Sequence, residues 1–143
     1  MKKLLLGIAA VCLAGFTFAQ DAPLWMRHSV ISPDGTTIAF TYKGDIYTVP
    51  VAGGRAMQIT TNPAYDTAPV WSPDSKRIAF ASDRMGSLDV YIVAKDGGEP
   101  RRLTTHSGSE TPLAFTDAGH VLFSAGIMPS AEAVVFPSNG QFN

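Results

Sequence analysis

The sequence predicts an all-β protein built from β-propeller blades, and three observations support this prediction. A block of about 40 residues occurs twice and begins a third time, with a period of 40 to 44 residues. Each copy contains short runs of β-branched and aromatic residues, which favour strands. The chain's 13 glycines and 10 prolines supply the tight turns between these runs. Four short antiparallel strands in a repeat of this length are typical of one propeller blade.

Two other all-β folds agree less well with the repeat. A β-sandwich would not repeat its sequence, and a parallel β-helix would repeat at a shorter period. The propeller is therefore the favoured architecture.

The repeat consists of segments that recur in the same order. The first copy opens with Ile31-Ser-Pro-Asp-Gly and continues to Phe40, and the second opens with Trp71-Ser-Pro-Asp-Ser and continues to Phe80. The later segments align as residues 45–49 with 89–93, 53–54 with 97–98, and 58–61 with 102–105. In the third copy, residues 111–117 align with 68–74 and residues 121–124 with 78–81.

Within one copy, the residue types predict each element in turn. Ser-Pro-Asp-Gly predicts a turn, because proline holds φ near −65° and the aspartate caps the turn. The Ile-Ala-Phe run that follows is short and apolar, as expected of a strand buried on both faces. Ile46-Tyr-Thr-Val predicts the next strand, Gly53-Gly54 a hairpin turn, and Met57-Gln-Ile-Thr a short, more polar fourth strand.

The third copy departs from the other two and predicts an incomplete blade. No Asp-x-Tyr strand or Gly-Gly turn follows Ser124, and the tail to Asn143 resembles the approach to a strand that never arrives. We expect about two and a half four-stranded blades: blade 1 at about 25–61, blade 2 at about 66–105 and an incomplete blade 3 at about 110–143. Because a partial ring leaves sheet faces and an edge open, residues 20–143 are expected to be marginally stable or to self-associate.

The first 19 residues predict a secretory signal peptide. Two lysines precede an uncharged apolar run from Leu4 to Phe18, and Ala19 offers a small residue for cleavage. The run is shorter than the roughly 20 residues of a membrane-spanning helix, which disfavours a transmembrane anchor. Lipidation of Cys12 is a weaker alternative, because Val11 stands where a small residue is needed. We expect an exported protein, either periplasmic or extracellular.

Composition excludes several classes of function. The chain carries a formal net charge of −1, and residues 20–143 carry 9 basic against 12 acidic side chains, so no nucleic-acid partner is expected. The single cysteine, Cys12, lies in the predicted signal peptide. The mature chain is therefore expected to lack disulfides, a cysteine nucleophile and any thiolate metal site, and to depend on packing for its stability.

The residue types of a catalytic triad occur in one loop. His106, Ser107, Ser109 and Glu110 include these types, but neighbours in sequence seldom reach triad geometry, and the chain has no Gly-x-Ser-x-Gly elbow. The three histidines lie in different repeats without the spacing of a zinc site: His28, His106 and His120. We therefore predict a polar loop and no catalytic, cofactor or metal site.

The recurrent acidic residues are predicted to be structural. One aspartate per repeat falls at a turn, which indicates turn capping: Asp34, Asp74 and Asp117. Asp45 and Asp89 begin strands and are expected to bind neighbouring backbone. Asp83 and Arg84 are expected to form an ion pair or to anchor a loop. The aromatic side chains expected in the core between blades are Phe40, Tyr47, Trp71, Phe80, Tyr91 and Phe123.

The repeated pattern Ser-Pro-Asp, Ile-Ala-Phe, Asp-x-Tyr, Gly-Gly and Thr-Thr resembles the WD40-like propeller repeat of TolB, tricorn-type proteases and prolyl-oligopeptidase-like enzymes. The more specific resemblance is to exported tricorn-like serine proteases. It rests on the opening from Pro23 to Arg27, on residues 101–106 and on residues 110–115, and it covers about residues 22–143. A TolB-like protein would carry a small α/β domain before its propeller, for which this chain has no room.

The resemblance implies a role in a larger protein. A full tricorn-like protease has propeller domains, a PDZ-like domain and a C-terminal serine-protease domain that holds the nucleophilic serine, its histidine and the oxyanion donors. No catalytic residue is therefore carried over to this chain, and the expected role is peptide recognition, gating or scaffolding. The resemblance implies peptide or protein partners and a homo-oligomeric parent. The alternative is a TolB-like, non-enzymatic module that binds envelope proteins.

Overall fold

The computed structural model of this chain describes residues 25–126 and 132–137. Their strands are, in order, β1 (Met26–Ile31), β2 (Thr37–Tyr42), β3 (Asp45–Pro50), β4 (Met57–Gln58), β5 (Asp66–Trp71), β6 (Arg77–Met85), β7 (Ser87–Ala94), β8 (Arg101–Arg102), β9 (Glu110–Asp117), β10 (His120–Ala125) and β11 (Glu132–Pro137). The predicted all-β fold is confirmed. The predicted signal peptide at residues 1–19 lies outside the described residues, within which no helix is long and apolar enough to cross a membrane.

The strands form three antiparallel sheets that follow the sequence repeat. Sheet 1 has the order β1-β2-β3-β4, sheet 2 has the order β5-β6-β7-β8, and sheet 3 has the order β11-β10-β9. Each strand pairs with its neighbour in the chain, as in a propeller blade. The first strands of neighbouring sheets contact each other, β1 with β5 and β5 with β9.

The first strands of sheets 1 and 2 contain the same irregularity. The register shifts between Arg27 and Val30 in β1, and between Thr67 and Val70 in β5. At equivalent points within these bulges, His28 has φ 52° and Ala68 has φ 50°, which is left-handed backbone. The repeat therefore extends to the backbone conformation of a bulge, although the two residues differ in type.

Sheet 3 corrects one expectation from the sequence. A strand does follow Ser124: β11 pairs with the whole of β10, from His120 opposite Pro137 to Ala125 opposite Glu132. Residues 133–136 read Ala-Val-Val-Phe, a β-branched and aromatic run that can form a strand without the Asp-x-Tyr signature. Sheet 3 thus has three strands among the described residues.

Two apolar cores join the three sheets face to face. The core between sheets 1 and 2 consists of Ala39, Ile46, Ile59, Trp71, Ile78, Phe80, Tyr91 and Val93. The core between sheets 2 and 3 consists of Ala79, Val90, Ile92, Leu103, Val121, Phe123 and Ala125. Sheet 2 is therefore covered on both faces, which explains why Ile78, Ala79 and Phe80 are all fully buried. The prediction of a strand buried on both faces is confirmed there.

The predicted aromatic core is confirmed for some residues and wrong for others. Trp71, Phe80 and Tyr91 lie between sheets 1 and 2, and Phe123 lies between sheets 2 and 3. Phe40 is buried, at 6% exposed, but Phe40 and Tyr47 lie outside both cores between sheets; they stack on each other, with ring centroids 5.8 Å apart, and line a groove on the side of sheet 1 away from sheet 2. We call this side the outer face of sheet 1; its apolar positions are Ile31, Ile38, Phe40, Tyr47 and Val49.

Candidate functional site

The turn aspartates cap their turns as predicted. Asp34 Oδ1 accepts hydrogen bonds from Ser32 Oγ at 2.6 Å and from the Thr36 amide at 3.0 Å. Asp74 Oδ1 makes the same two contacts, with Ser72 Oγ at 2.6 Å and the Lys76 amide at 3.2 Å. These bonds, first the one from serine, lower the pKa of both aspartates. The Ser-Pro-Asp motif is therefore a structural element.

The third turn aspartate, Asp117, caps its turn through different partners. Asp117 Oδ1 accepts from the Gly119 amide at 2.6 Å and contacts His120 Nδ1 at 2.9 Å. The histidine contact is the main reason that the pKa of Asp117 is lowered. His120 thus helps to hold the β9–β10 turn through its contact with Asp117.

Asp45 begins β3 and Asp89 lies near the start of β7, and both carboxylates bind side chains, so the expected backbone contacts are wrong. Asp45 accepts from Gln58 Nε2 at 3.0 Å and from Thr60 Oγ1 at 3.3 Å. Asp89 forms an ion pair with Arg102, 2.8 Å from Nη2 to Oδ2. Gln58 and Arg102 occupy equivalent places in the fourth strands, so each contact ties strand three of its sheet to strand four. Burial raises the pKa of Asp45.

Asp83 and Arg84 do not pair with each other, but each anchors a separate contact. Arg84 Nη2 lies 3.1 Å from both carboxylate oxygens of Asp66, which is fully buried. The Arg84 guanidinium also lies 4.4 Å from the centroid of the Tyr91 ring. Asp83 Oδ1 accepts from the Tyr65 amide at 2.8 Å. The loop-anchor expectation is confirmed for Asp83, and the ion pair belongs to Asp66.

A buried carboxyl pair lies between sheets 2 and 3. Thr104 Oγ1 accepts from the Val90 amide at 2.9 Å and contacts Glu110 Oε2 at 3.1 Å. Glu110 is 1% exposed and Asp89 is fully buried. Burial, with the nearby charge of Asp89, raises the pKa of Glu110. The sequence analysis did not identify this cluster, although the recurrence of Thr60 and Thr104 at equivalent places was a usable signal.

The loop with triad residue types holds its histidine in a local turn. His106 Nδ1 accepts from the Gly108 amide at 3.0 Å and lies 3.9 Å from Glu110 Oε1. Elsewhere, His28 Nδ1 lies 3.0 Å from Thr67 Oγ1, in a contact between sheets 1 and 2. In residues 25–126 and 132–137 no three His, Cys, Asp or Glu side chains are grouped so as to hold a metal ion.

The best candidate for ligand binding is a cleft of about 430 Å³ at the end of sheet 1 where β2 turns into β3. We call it the hairpin cleft; it is lined by Trp25, Arg27, Thr41, Lys43, Gly44 and Tyr65. Trp25 is 62% exposed and Tyr65 is 43% exposed. Exposed aromatic rings beside cationic side chains are typical of surfaces that bind protein segments.

The hairpin and the linker between sheets 1 and 2 shape this cleft. Lys43 and Gly44 form the two-residue turn with φ 52° and 90°, the left-handed pair that a tight hairpin needs. The Asp66 amide donates to the Gly44 carbonyl at 2.7 Å and so fixes the linker against the turn. A Cβ at position 44 would make only an ordinary contact with Tyr65, at 3.5 Å from Cδ2, so it is the left-handed φ that favours glycine there.

The chemistry of the hairpin cleft favours anionic and aromatic groups. Arg27 and Lys43 are exposed cations, and Lys43 Nζ lies 5.4 Å from the centroid of the Tyr42 ring. Thr41 is 2% exposed, and its Oγ1 has no hydrogen-bond partner among the described residues. A buried hydroxyl without a partner is costly, and a polar group bound in the cleft would satisfy it.

Meandering four-stranded sheets packed face to face, in register with a repeat of about 40 residues, define the class of protein: this is a β-propeller segment. The family is equally clear. The chain belongs to the family of the tricorn protease N-terminal β-propeller domain, whose model matches residues 23–135.

Individual relatives agree with this assignment. Tricorn protease homolog 1 of Streptomyces coelicolor is 35% identical over 102 residues, 71% of this chain and 9% of that protein. The uncharacterized peptidase YuxL of Bacillus subtilis is 30% identical over 129 residues, 89% of this chain and 20% of that protein. The crystal structure of TolB from Acinetobacter baumannii has the same fold, with a TM-score of 0.69 at 22% identity over 81% of this chain and 31% of that chain. This chain thus spans a fifth or less of the length of the two curated relatives.

Proposed function

We propose that this chain is the propeller segment of an exported peptidase-family protein, in which it binds peptide segments without cleaving them. The observation that carries the proposal is the family match over residues 23–135 to a propeller domain of a protease. The hairpin cleft supplies a surface suited to the task, since it combines aromatic rings with two cations. The apolar run before Ala19 supports the proposed export.

The ligand that this cleft fits is an extended peptide with acidic and aromatic side chains or a free carboxyl end. Arg27 and Lys43 would pair with carboxylates, while Trp25 and Tyr65 would stack on rings. The peptide would continue across other blades in the parent protein, and partner specificity would come from those contacts together.

The test is fluorescence anisotropy with a labelled peptide of glutamate and phenylalanine. The double variant Arg27→Ala/Lys43→Ala should bind about tenfold more weakly, equal to about 1.4 kcal/mol. The matched control is Arg55→Ala/Lys76→Ala, which removes two exposed cations from outside the cleft. Mass spectrometry should recover the peptide intact.

Two results would contradict the proposal. If the control variant loses as much affinity as the cleft variant, binding follows net charge alone and the cleft is not the site. If the peptide is cut, and cutting persists in Ser107→Ala and Ser109→Ala variants, the chain holds a catalytic site outside the loop with triad residue types.

The alternative function is a non-enzymatic module that binds a folded envelope protein, as proposed for a TolB-like propeller. The sequence similarity to TolB covers a smaller part of this chain than the family match over residues 23–135, so it supports this alternative less strongly than the family match supports the first. Capture of a folded envelope protein that is unaffected by changes in the hairpin cleft would favour the module.

A further inference from the structure

Thr41 is a buried polar side chain that lies in the wall of the hairpin cleft. It is 2% exposed, and its Oγ1 makes no hydrogen bond to any described residue. Thr60, which is equally buried, is satisfied: its Oγ1 accepts from the Ile46 amide at 3.0 Å and contacts Asp45 Oδ1 at 3.3 Å. Because burying a hydroxyl without a partner lowers stability, packing alone does not account for a threonine at position 41.

The repeat shows that a blade does not need an unsatisfied hydroxyl at this position. Thr41 follows Ile-Ala-Phe in β2, and Ala81 follows the same three residues in β6. Ala81 is fully buried and has no polar side-chain atom. Ser124 is the equivalent residue of sheet 3, and its Oγ donates to the Thr111 carbonyl at 3.4 Å. Among these three equivalent positions, the hydroxyl that lacks a partner is the one that lines the cleft.

The two cations of the hairpin cleft accompany this hydroxyl. Strand register places Arg27 of β1 directly opposite Thr41 of β2, and side chains at directly opposite positions share one face of a sheet. Lys43 follows two residues after Thr41, and all three residues line the cleft. None of the described residues that line it is acidic. Asp66, the buried acid at the start of β5, is already paired with Arg84 at 3.1 Å and leaves both cations available.

We propose that the hairpin cleft recognises an acidic side chain of the peptide through Thr41, a specificity that rests on the peptide binding proposed above. The Thr41 hydroxyl donates to one carboxylate oxygen, and Arg27 and Lys43 supply the positive charge. A glutamine side chain has the same shape as glutamate but no negative charge, so the cleft discriminates against it. Because the proposed peptide continues across other blades, the carboxylate belongs to a side chain and not to a chain end.

The experiment measures the binding of two labelled peptides to the full chain by fluorescence anisotropy. Both peptides carry phenylalanine and have blocked ends, and they differ at one position, which is glutamate or glutamine. The native chain should prefer the glutamate peptide by at least about tenfold. Thr41→Val keeps the shape of the side chain but loses the hydroxyl, so it should bind the glutamate peptide about tenfold more weakly. Thr41→Ser keeps the hydroxyl and should retain the native preference.

Urea unfolding without peptide separates a binding role of Thr41 from a structural one. The urea midpoint of Thr41→Val should rise above that of the native chain, because the variant removes an unsatisfied buried hydroxyl. The matched control is Thr60→Val, the same replacement at an equally buried residue whose hydroxyl is satisfied. Its midpoint should fall, and its preference for glutamate should not change, since Thr60 is not among the residues that line the cleft.

Four outcomes would overturn the proposal, and they are distinguishable. If the native chain binds neither peptide, the proposed function fails as well. If Thr41→Val keeps the native preference for glutamate, peptide binding stands but Thr41 does not set its specificity. A lower urea midpoint for Thr41→Val would mean that the hydroxyl is already satisfied in the free protein. If a glutamine peptide with a free carboxyl end binds as tightly as the glutamate peptide and is weakened equally by Thr41→Val, the cleft takes a chain end instead.

Discussion

Ser75 occupies a left-handed backbone position, with φ 57°, where the first repeat has Gly35 at φ 73°. A side chain at such a position costs about 1–2 kcal/mol. The serine makes a contact that glycine cannot make, because Ser75 Oγ accepts a hydrogen bond from the Asp34 amide at 3.1 Å. Ser75 thus joins the Ser-Pro-Asp turns of sheets 1 and 2, and its hydrogen bond between blades offsets the cost of the strained backbone.

Two substitutions at Ser75 separate these effects. Ser75→Ala keeps the strained backbone and loses the acceptor, so the free energy of unfolding should fall by about 1 kcal/mol. Ser75→Gly loses the same acceptor but relieves the strain, so its stability should lie about 1 kcal/mol above that of the alanine variant. Urea unfolding measures both. Equal stability of the two variants would mean that the backbone at position 75 is not strained.

At the scale of elements, acidic residues join the strands within a sheet, and here sequence reasoning had mixed success. The turn aspartates were predictable, because Ser-Pro-Asp closes its hydrogen bonds within a few residues. The partners of Asp89 and Asp66 were not, because Arg102 and Arg84 lie 13 and 18 residues away and reach the carboxylates only through strand pairing. Local patterns carry no information on such contacts.

The carboxyl pair between sheets 2 and 3 predicts a dependence of stability on pH. The folded-state pKa of Glu110 is raised above its ordinary value of 4.5, so the folded chain holds this proton more tightly than the unfolded chain. The contribution of Glu110 to the free energy of unfolding is therefore greatest below pH 4.5, and it falls as the pH rises through the raised pKa of the folded chain. Glu110→Gln should remove this fall, since an amide can still accept from Thr104 and can donate to Asp89.

The measurement is urea unfolding of native chain and variant from pH 4 to pH 8. The native chain should lose stability relative to Glu110→Gln as the pH rises. Glu99→Gln, at an exposed position, is the control and should follow the native curve. Parallel curves for all three proteins would show that Glu110 titrates no differently in the folded and unfolded chains.

At the scale of the whole molecule, three sheets share two cores, and sheet 2 is the one whose two faces are both covered by described residues. This arrangement explains why equivalent residues differ in burial between repeats, as Ile31 and Trp71 do. It also explains why Phe40 and Tyr47 lie outside the cores between sheets, although Phe40 is buried. Their residue types suit a core, but whether a face is covered depends on which sheets lie beside it.

The signal peptide predicted at residues 1–19 concerns the whole chain, and it implies a defined mature product. When the full chain is expressed in a bacterium, it should accumulate outside the cytoplasm with a new N-terminus at Gln20, because Ala19 ends the apolar leader. N-terminal sequencing of the exported protein measures this. A variant with Leu6→Arg, which breaks the apolar run, should stay unprocessed in the cytoplasm. Native chain found there with Met1 intact would contradict the prediction.

The sequence alone was sufficient for the all-β class, the blade repeat, the turn chemistry and the family, because each of these depends on residues close together in the chain or on a period that can be counted. The tertiary structure alone decided the rest: the extra strand β11, the pairing of Arg84 with Asp66, the hairpin cleft and the open outer face of sheet 1. The physical reason is that these features depend on backbone hydrogen bonds and on sheet-to-sheet packing, which join residues without regard to their distance in sequence.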